Sequence, residues 1–418
     1  MSKLPNKVDF EFYHQFYKSQ LLDDCIPFWL NSELIDHTNG GYTTSVTRYG
    51  KVYDTDKSVW FQGRCLWTFS ALCNTYGPRE EWLDAARIGY EFLNRHCIDD
   101  DGRMFFKVTA DGKKLRKRRY MFSESFYVVG MAEYGFLMKS ADMKISDDIL
   151  EKSMRCFDMM LTIYRDSAAD PFDITPKEFS ETRSGRAVAV PMVLVSCAQV
   201  LRRCCPDRAE YYSRVVDDIA GDMFKYFYKP ELRCVLETVG TNGEFLDIPA
   251  GRLVNPGHTI ENSWFLMNAA LYPGADKAGY IEKALNFFDW SVDIGKDSEH
   301  GGYHYFVDCK GLPCEPLESD MKLWWVHCET LIASLMAYSV TKDEKYWNIF
   351  LDAHEYCEKH FHDNEFGEWF GYLHRDGSVS HTQKGSQWKG PYHLPRALMC
   401  CERILKALAD GDPTPMIL

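Results

Sequence analysis
Two rhythms of apolar and polar residues alternate along this chain. One is helical: six segments beginning near Trp60, Met121, Ala187, His258, Leu323 and Pro391 are apolar almost all the way round, as in LWWVHCETLIASLMAYS. A helix with no polar face belongs inside a structure, and one with a single apolar stripe belongs at its surface. Five segments of the second kind, such as EKYWNIFLDAHEYCEKHF, follow the apolar ones and read as outer helices. Ahead of inner helices the rhythm changes to a period of two. Five stretches beginning at Asn39, Asp101, Glu231, His300 and Phe366 alternate around Gly, Asn-Gly or Asp-Gly bends and predict short β-hairpins.

The pattern repeats. With Arg64, Glu124, Pro191, Glu261, Glu329 and Arg396 taken as equivalent points, successive repeats are 60, 67, 70, 68 and 67 residues long. Six inner and six outer helices in alternation predict an all-α fold, a single-domain (α/α)6 toroid over residues 1–418 with short β-hairpins on one rim. All inner helices then start at that rim, so polar groups in their first turns converge on one cavity. These groups are Arg64, Glu124, His258, Glu261, His327, Glu329, His393 and Arg396; the third start, AVAVPMV, supplies none.

Composition narrows the partners. The 418 residues carry 48 basic and 61 acidic side chains, and a net charge of −13 disfavours nucleic acid and anionic lipid as targets. The basic run from Lys113 to Arg119 stands against this balance and reads as a solvated hairpin edge. The N-terminal stretch lacks a signal-like apolar region, and the nearly apolar run from Ala187 to Val200 contains a proline and is shorter than the ~20 residues of a span. A cytoplasmic protein without membrane contact is expected. Fifteen cysteines occur without a CxxC pair and read as reduced, mostly buried thiols. An aromatic share of 15% suits a thick core together with a concave surface for sugar-like ligands.

Two first turns carry the candidate chemistry. His258 and Glu261 stand three apart behind Asn255-Pro256-Gly257, a helix entry with Asn255 or Thr259 as N-cap. The helix dipole there favours neutral imidazole, and Glu261 is placed to fix its tautomer, which suits a general base as well as a structural histidine. His393 and Arg396 repeat the spacing in the last repeat. Arg64, among Trp60, Phe61 and Trp67, suits an oxyanion, with a buried pair to Glu124 or Glu329 as the alternative. Trp324, Trp325, Trp369 and Trp388 are candidates for stacking on sugar rings. His300 with His304, and His360 with His362, lack supporting ligands, so no metal is indicated. No phosphate-loop, dinucleotide, zincin or serine-hydrolase motif occurs.

These motifs together resemble the N-acylglucosamine 2-epimerase family. The resemblance runs from Phe28-Trp29 to the helix after His393. It rests on the stretches Val59 to Arg64, Phe122 to Tyr127, Ala189 to Met192, Asn255 to Glu261, Met321 to His327, Gly367 to Tyr372 and His393 to Arg396. It implies interconversion of N-acetylglucosamine and N-acetylmannosamine through the open-chain sugar, in a homodimer that ATP stimulates and that requires no cofactor. One histidine removes the C2 proton, a cation holds the enediolate, and a second histidine reprotonates the other face. On this resemblance His258 and His393 are the acid/base pair, Arg64 holds the enediolate, and Glu261 partners His258. Glu124, Val190, Met192, Trp325, His327, Glu329, Trp388 and Arg396 surround the sugar, with Val190, Pro191 and Met192 shaping an acetamido pocket. Cellobiose or mannose 2-epimerases and aldose-ketose isomerases of the same fold are the nearer alternatives. A glycoside hydrolase using Glu261, Glu329 or Glu368, or a noncatalytic partner-binding protein, is more remote.

Overall fold
The computed structural model describes residues 5–118, 120–141, 143, 145–172, 179 and 181–418; Arg119, the last residue of the basic run, lies outside them. The chain opens with α1 (Lys7–Ser19), which continues through a π-helical turn, Gln20–Cys25, into α2 (Ile26–Asn31). Pairs of inner and outer helices follow: α3 (Val59–Tyr76) with α4 (Glu80–His96), α5 (Phe122–Ser140) with α6 (Ser146–Arg165), and α7 (Ala189–Cys204) with α8 (Ala209–Tyr226). A single turn, α9 (Pro249–Arg252), precedes α10 (Pro256–Ala270) with α11 (Lys277–Gly295), α12 (Trp324–Thr341) with α13 (Glu344–His360), and the last inner helix, α14 (His393–Asp410).

Burial follows the patterning. Helix α12 buries 16 of its 18 residues. Its outer neighbour α13 buries only a stripe at Tyr346, Trp347, Phe350, Ala353, Tyr356 and Cys357, which lies on one helical face. Five outer helices follow their inner partners in sequence, and the sixth comes from the start of the chain: α1 packs against α14. The ring closes where Trp67 meets Tyr392 with ring centroids 5.2 Å apart and the Tyr76 hydroxyl donates to Glu402 on α14. At the end away from the hairpins, the buried C-terminal pair Ile417 and Leu418 plugs the barrel, with the Ile417 N–H donating to the Asn268 side chain at 2.7 Å. All fifteen cysteines are free. Among the described residues no helix is long and apolar enough to cross a membrane.

The rim is stitched by very short strands. The strand ahead of an inner helix pairs with the next repeat's hairpin: Lys57–Ser58 with Lys107–Val108, Gly185–Ala187 with Thr238–Gly240, Leu253–Val254 with Val307–Asp308, and Lys322–Leu323 with Tyr372–Leu373. A recurring loop anchors these strands. In three repeats an aspartate closes a ring of backbone hydrogen bonds over a bend with two positive-φ residues: Asp36 over Gly40-Gly41, Asp297 over Gly301-Gly302, and Asp363 over Gly367-Glu368. Its carboxylate then takes the ammonium of a lysine that has no solvent contact. The Nζ to Oδ distances are 2.8 Å for Lys57–Asp36, 2.9 Å for Lys322–Asp297 and 3.0 Å for Lys384–Asp363. In the second repeat Asp99 closes the related loop and meets Lys114 and Lys117 from the basic run. Within that run Lys113, Lys114 and Lys117 pair with Asp111, Asp99 and Asp101, while the Arg118 guanidinium carbon lies 4.1 Å from the Phe106 ring centroid.

Breaking a buried ion pair from one side leaves an unanswered charge and costs about 3 kcal/mol. Lys57→Met is therefore expected to lower the thermal midpoint and weaken the first hairpin's protection against amide exchange. An unchanged midpoint would show that the clasp contributes no stability.

Candidate active site
The helix starts present two kinds of side chain, two residues apart and so on opposite faces of the helix. The first kind points back at a hairpin. Gln62 accepts from the Tyr42 N–H at 2.8 Å, Glu124 from the Met104 N–H at 3.0 Å, and His327 from the Tyr303 N–H at 3.1 Å. Gln62, Glu124 and His327 therefore occupy one structural position. This corrects the sequence register, which aligned Arg64 with Glu124 and placed Glu124 and His327 against the substrate. Glu124 is further committed to Arg103 at 2.7 Å. His327 donates from Nδ1 to the Leu323 carbonyl at 2.8 Å, and burial pulls its pKa down to about 3. Both its nitrogens are spent on backbone, which leaves none for a sugar.

The second kind, two residues on, comprises Arg64, Phe126 and Glu329. Arg64 lies with its guanidinium carbon 4.1 Å from the Phe126 ring centroid and 5.5 Å from that of Tyr392, and donates to the Trp388 carbonyl at 2.9 Å. Among the described residues no carboxylate lies within ion-pair distance of it, and its Nε is buried without a partner. The alternative of a buried pair with Glu124 or Glu329 is thus not what forms. Burial lowers its pKa to about 10, still cationic at neutral pH.

His258 and His393 are each held by a carboxylate. Asn255, not Thr259, caps α10, its side chain accepting from the His258 N–H at 3.1 Å. The His258 ring donates from Nδ1 to both oxygens of Glu237, at 3.0 and 3.1 Å. The expected partner, Glu261, instead bonds Arg396 at 2.5 Å. Its direction along the helix takes it toward α14, while Glu237 reaches His258 from the loop between Cys234–Val235 and Thr238–Gly240. His393 donates from Nδ1 to Glu329 at 2.7 Å, and the same Glu329 also accepts from Arg396 at 2.6 Å and from the Trp264 indole at 2.8 Å. With both Nδ1 atoms engaged, each Nε2 is left as the working nitrogen. Trp325 backs both rings, with centroids 5.3 Å from His258 and 5.8 Å from His393. A Cβ at Gly257 would lie 2.5 Å from that indole, so glycine is needed for the helix to approach it.

The two imidazoles are poised differently. Burial opposes protonation of His258, but the charge and hydrogen bond of Glu237, with Glu261 behind, outweigh it and raise its pKa. The helix dipole alone favours neutral His258; a carboxylate from another element shifts the balance toward the protonated form. For His393 burial, then the charges of Arg396 and Arg64, push the pKa well below the ordinary value. Its own carboxylate is shared with Arg396 and compensates little.

Glu261, Glu329 and His393 are the one group among the described residues whose ligand atoms cluster tightly enough for a metal ion, and the Arg396 guanidinium is seated among them. Val190, Pro191 and Met192 form the first turn of α7, Pro191 and Met192 buried and Val190 half-buried. Trp388, 38% exposed, packs against Trp60 with centroids 5.4 Å apart. Trp324 and Trp369 are buried and belong to the core.

The profile described as N-acylglucosamine 2-epimerase matches residues 40–397. The chain belongs to the N-acylglucosamine 2-epimerase family. Its relatives in that family include the N-acylglucosamine 2-epimerase of Mus musculus, 37% identical over 95% of this chain and 93% of the mouse protein. The cellobiose 2-epimerase of Bacteroides fragilis is 25% identical over 94% of this chain and 98% of that protein. The solved cellobiose 2-epimerase of Bacillus thermoamylovorans superposes with a TM-score of 0.80 at 20% identity, covering 95% of this chain and 100% of that one. The family's (α/α)6 barrel and its class of enzyme, a carbohydrate epimerase, therefore hold for this chain.

Because Gln62 performs in the first repeat what His327 performs in the fifth, His327→Gln should keep epimerase activity within about threefold. His327→Leu orphans the Tyr303 N–H, which costs about 1–3 kcal/mol, and should lower the melting temperature. Loss of activity in a stable Gln variant would return His327 to the substrate.

Proposed function
We propose that the protein interconverts N-acetyl-D-glucosamine and N-acetyl-D-mannosamine by moving one proton on and off C2. The observation that carries this reading is the pair of carboxylate-held imidazoles, backed by one indole, beside a guanidinium with no carboxylate partner among the described residues. In the closed pyranose the C2 proton is not acidic; in the open chain the C1 aldehyde makes it so. One Nε2 takes that proton, and the C–H electron pair moves into the C1 carbonyl to give an enediolate. Arg64 is the permanent cation for that oxyanion, and its lack of a carboxylate leaves its charge for the intermediate. The other imidazole, in its protonated form, returns a proton to the opposite face. Two bases on opposite sides invert the carbon without the intermediate turning over. Every step is a proton transfer between side chain and sugar, so the scheme requires no cofactor.

Glu329 and Arg396 take supporting roles here, Glu329 by setting the His393 tautomer and Arg396 by tying Glu329 to Glu261. Trp388 and Trp325 offer indole surface to the sugar. Val190 and Met192 supply the apolar wall for the acetamido methyl, and the greater identity to the mouse N-acylglucosamine enzyme than to the cellobiose enzyme supports the N-acylated substrate. The homodimer, the cytoplasmic setting and ATP stimulation that the family resemblance implies belong to the same proposal.

The test is deuterium uptake at C2 when N-acetylmannosamine is incubated in heavy water, set against mannose and cellobiose. Uptake confined to the N-acetylated sugar is expected. His258→Gln and His393→Gln should each cut turnover by about 10²–10⁴, and Arg64→Met by about 10²–10³, with the fold retained. Preferential exchange of cellobiose would overturn the substrate, and full activity in both histidine variants would overturn the chemistry. Met192→Asn should depress turnover of N-acetylated sugars more than it depresses the melting temperature.

A further inference from the structure
We infer that Glu237, a hairpin residue outside every inner helix, is the positioning residue that holds the enzyme's working proton on His258. The inference rests on the epimerase reading above and deepens it. The two histidine dyads are built from different parts. His393 shares the Glu329 carboxylate with a guanidinium and an indole, at 2.6 and 2.8 Å, so the negative charge is already answered when the imidazole arrives. His258 faces a carboxylate that meets it through both oxygens. Among the described residues no arginine or lysine forms an ion pair with Glu237.

The groups around His258 come from four elements. Glu237 reaches it from the fourth repeat's hairpin, Glu261 stands one turn on along α10 with its charge taken by Arg396, Trp325 covers it from α12, and His393 lies across the indole on α14. The Tyr305 phenol also lies near Glu237 and stays protonated through burial and that carboxylate. Of these, Glu237 alone offers His258 a full, uncompensated negative charge.

A two-base epimerase carries one proton between its two bases in the form that accepts sugar. With the proton on His258 and His393 neutral, the free enzyme is poised to deprotonate from the His393 side and donate from the His258 side. The reverse turnover begins from the same single proton moved across. Losing it at high pH stops both directions, so the alkaline limb of the rate profile belongs to His258, and the acid limb belongs to protonation of His393. Glu237 therefore sets where activity fails as pH rises.

Glu237→Gln keeps shape and one acceptor oxygen while removing the charge, and its partly exposed side chain avoids a packing penalty. The His258 titration is read directly from imidazole NMR signals, assigned by their loss in His258→Gln. In the wild type it is expected above the ordinary histidine value. In Glu237→Gln it should fall by at least one pH unit, and the alkaline limb of kcat/KM for N-acetylmannosamine should move down with it. KM should change by less than threefold while kcat falls at least tenfold at neutral pH, and Glu237→Asp should restore much of both. Glu261→Gln should leave the His258 titration within half a unit. An unmoved titration in Glu237→Gln, or an equal movement in Glu261→Gln, would overturn the assignment. A titration that moves as expected in a protein that exchanges no sugar proton supports the Glu237 coupling and overturns the epimerase reading.

Discussion
Three of the rim's loops depend on ammonium groups that have no contact with water. Taking a lysine out of water costs several kcal/mol unless its charge and all three N–H bonds are answered. Lys57 meets Asp36 and the carbonyls of Gly40 and Ala110; Lys384 meets Asp363 and the carbonyls of Gly367 and Glu368. Each clasp fixes a loop that would otherwise be a chain of solvated bends, because strands of two or three residues cannot hold themselves together. The clasped loop then presents one backbone N–H, that of Tyr42 or Tyr303, to the first turn of an inner helix. Helix starts are thereby set against a rigid rim, and the residue two positions further on is aimed at the barrel axis. Site geometry is inherited from the clasp, through the hairpin, to the helix.

That inheritance explains an asymmetry in the chemistry. Repeats of one architecture place Arg64 and Glu329 at corresponding inward positions, yet the repeats differ in what surrounds them. On α14 two cations crowd His393, and on α10 a hairpin carboxylate crowds His258. An enzyme that must both take and give a proton at neutral pH needs two groups of unlike affinity. Here the difference arises from which repeat donates the neighbouring charge, with a histidine in both places.

Much of this was legible in the residues. The alternation of all-round apolar and striped helices specified the barrel, since burial on every face leaves a helix no place but the inside. That His258, His393 and Arg64 converge on one cavity was legible because they sit in first turns of repeats that could be overlaid. The clasps escaped because Asp36 and Lys57, or Asp297 and Lys322, are separated by more than twenty residues and look like ordinary loop charges. Glu237 escaped for the same reason: it lies on a hairpin 21 residues before His258, and nothing in local spacing distinguishes it from Glu261, which shares a helical turn. His327 misled because an imidazole in a first turn looks chemical, while the glutamine doing its work in the first repeat looks structural. Comparing repeats position by position, with Gln62 set against Glu124 and His327, is the signal that separates them.

The carboxylates of the cavity weigh against hydrolysis. A glycoside hydrolase on this barrel needs one carboxyl group free to donate a proton and another free to attack or to activate water. Glu261 and Glu329 share Arg396, Glu124 is bound to Arg103, and Glu368 is bound to Lys389 at 2.5 Å. Each of these four carboxylates is held by a cation. Among the described residues Arg64 has no carboxylate within ion-pair distance, so the cavity holds a guanidinium whose polar partner is the Trp388 carbonyl. Holding a half-buried guanidinium against aromatic rings with no carboxylate partner among the described residues leaves its charge poorly answered until a negative charge forms beside it. A glycosidic transition state is cationic and would be repelled there; an enediolate is anionic and would be held. A guanidinium with no carboxylate partner among the described residues thus favours the proposed proton abstraction beside a carbonyl over hydrolysis.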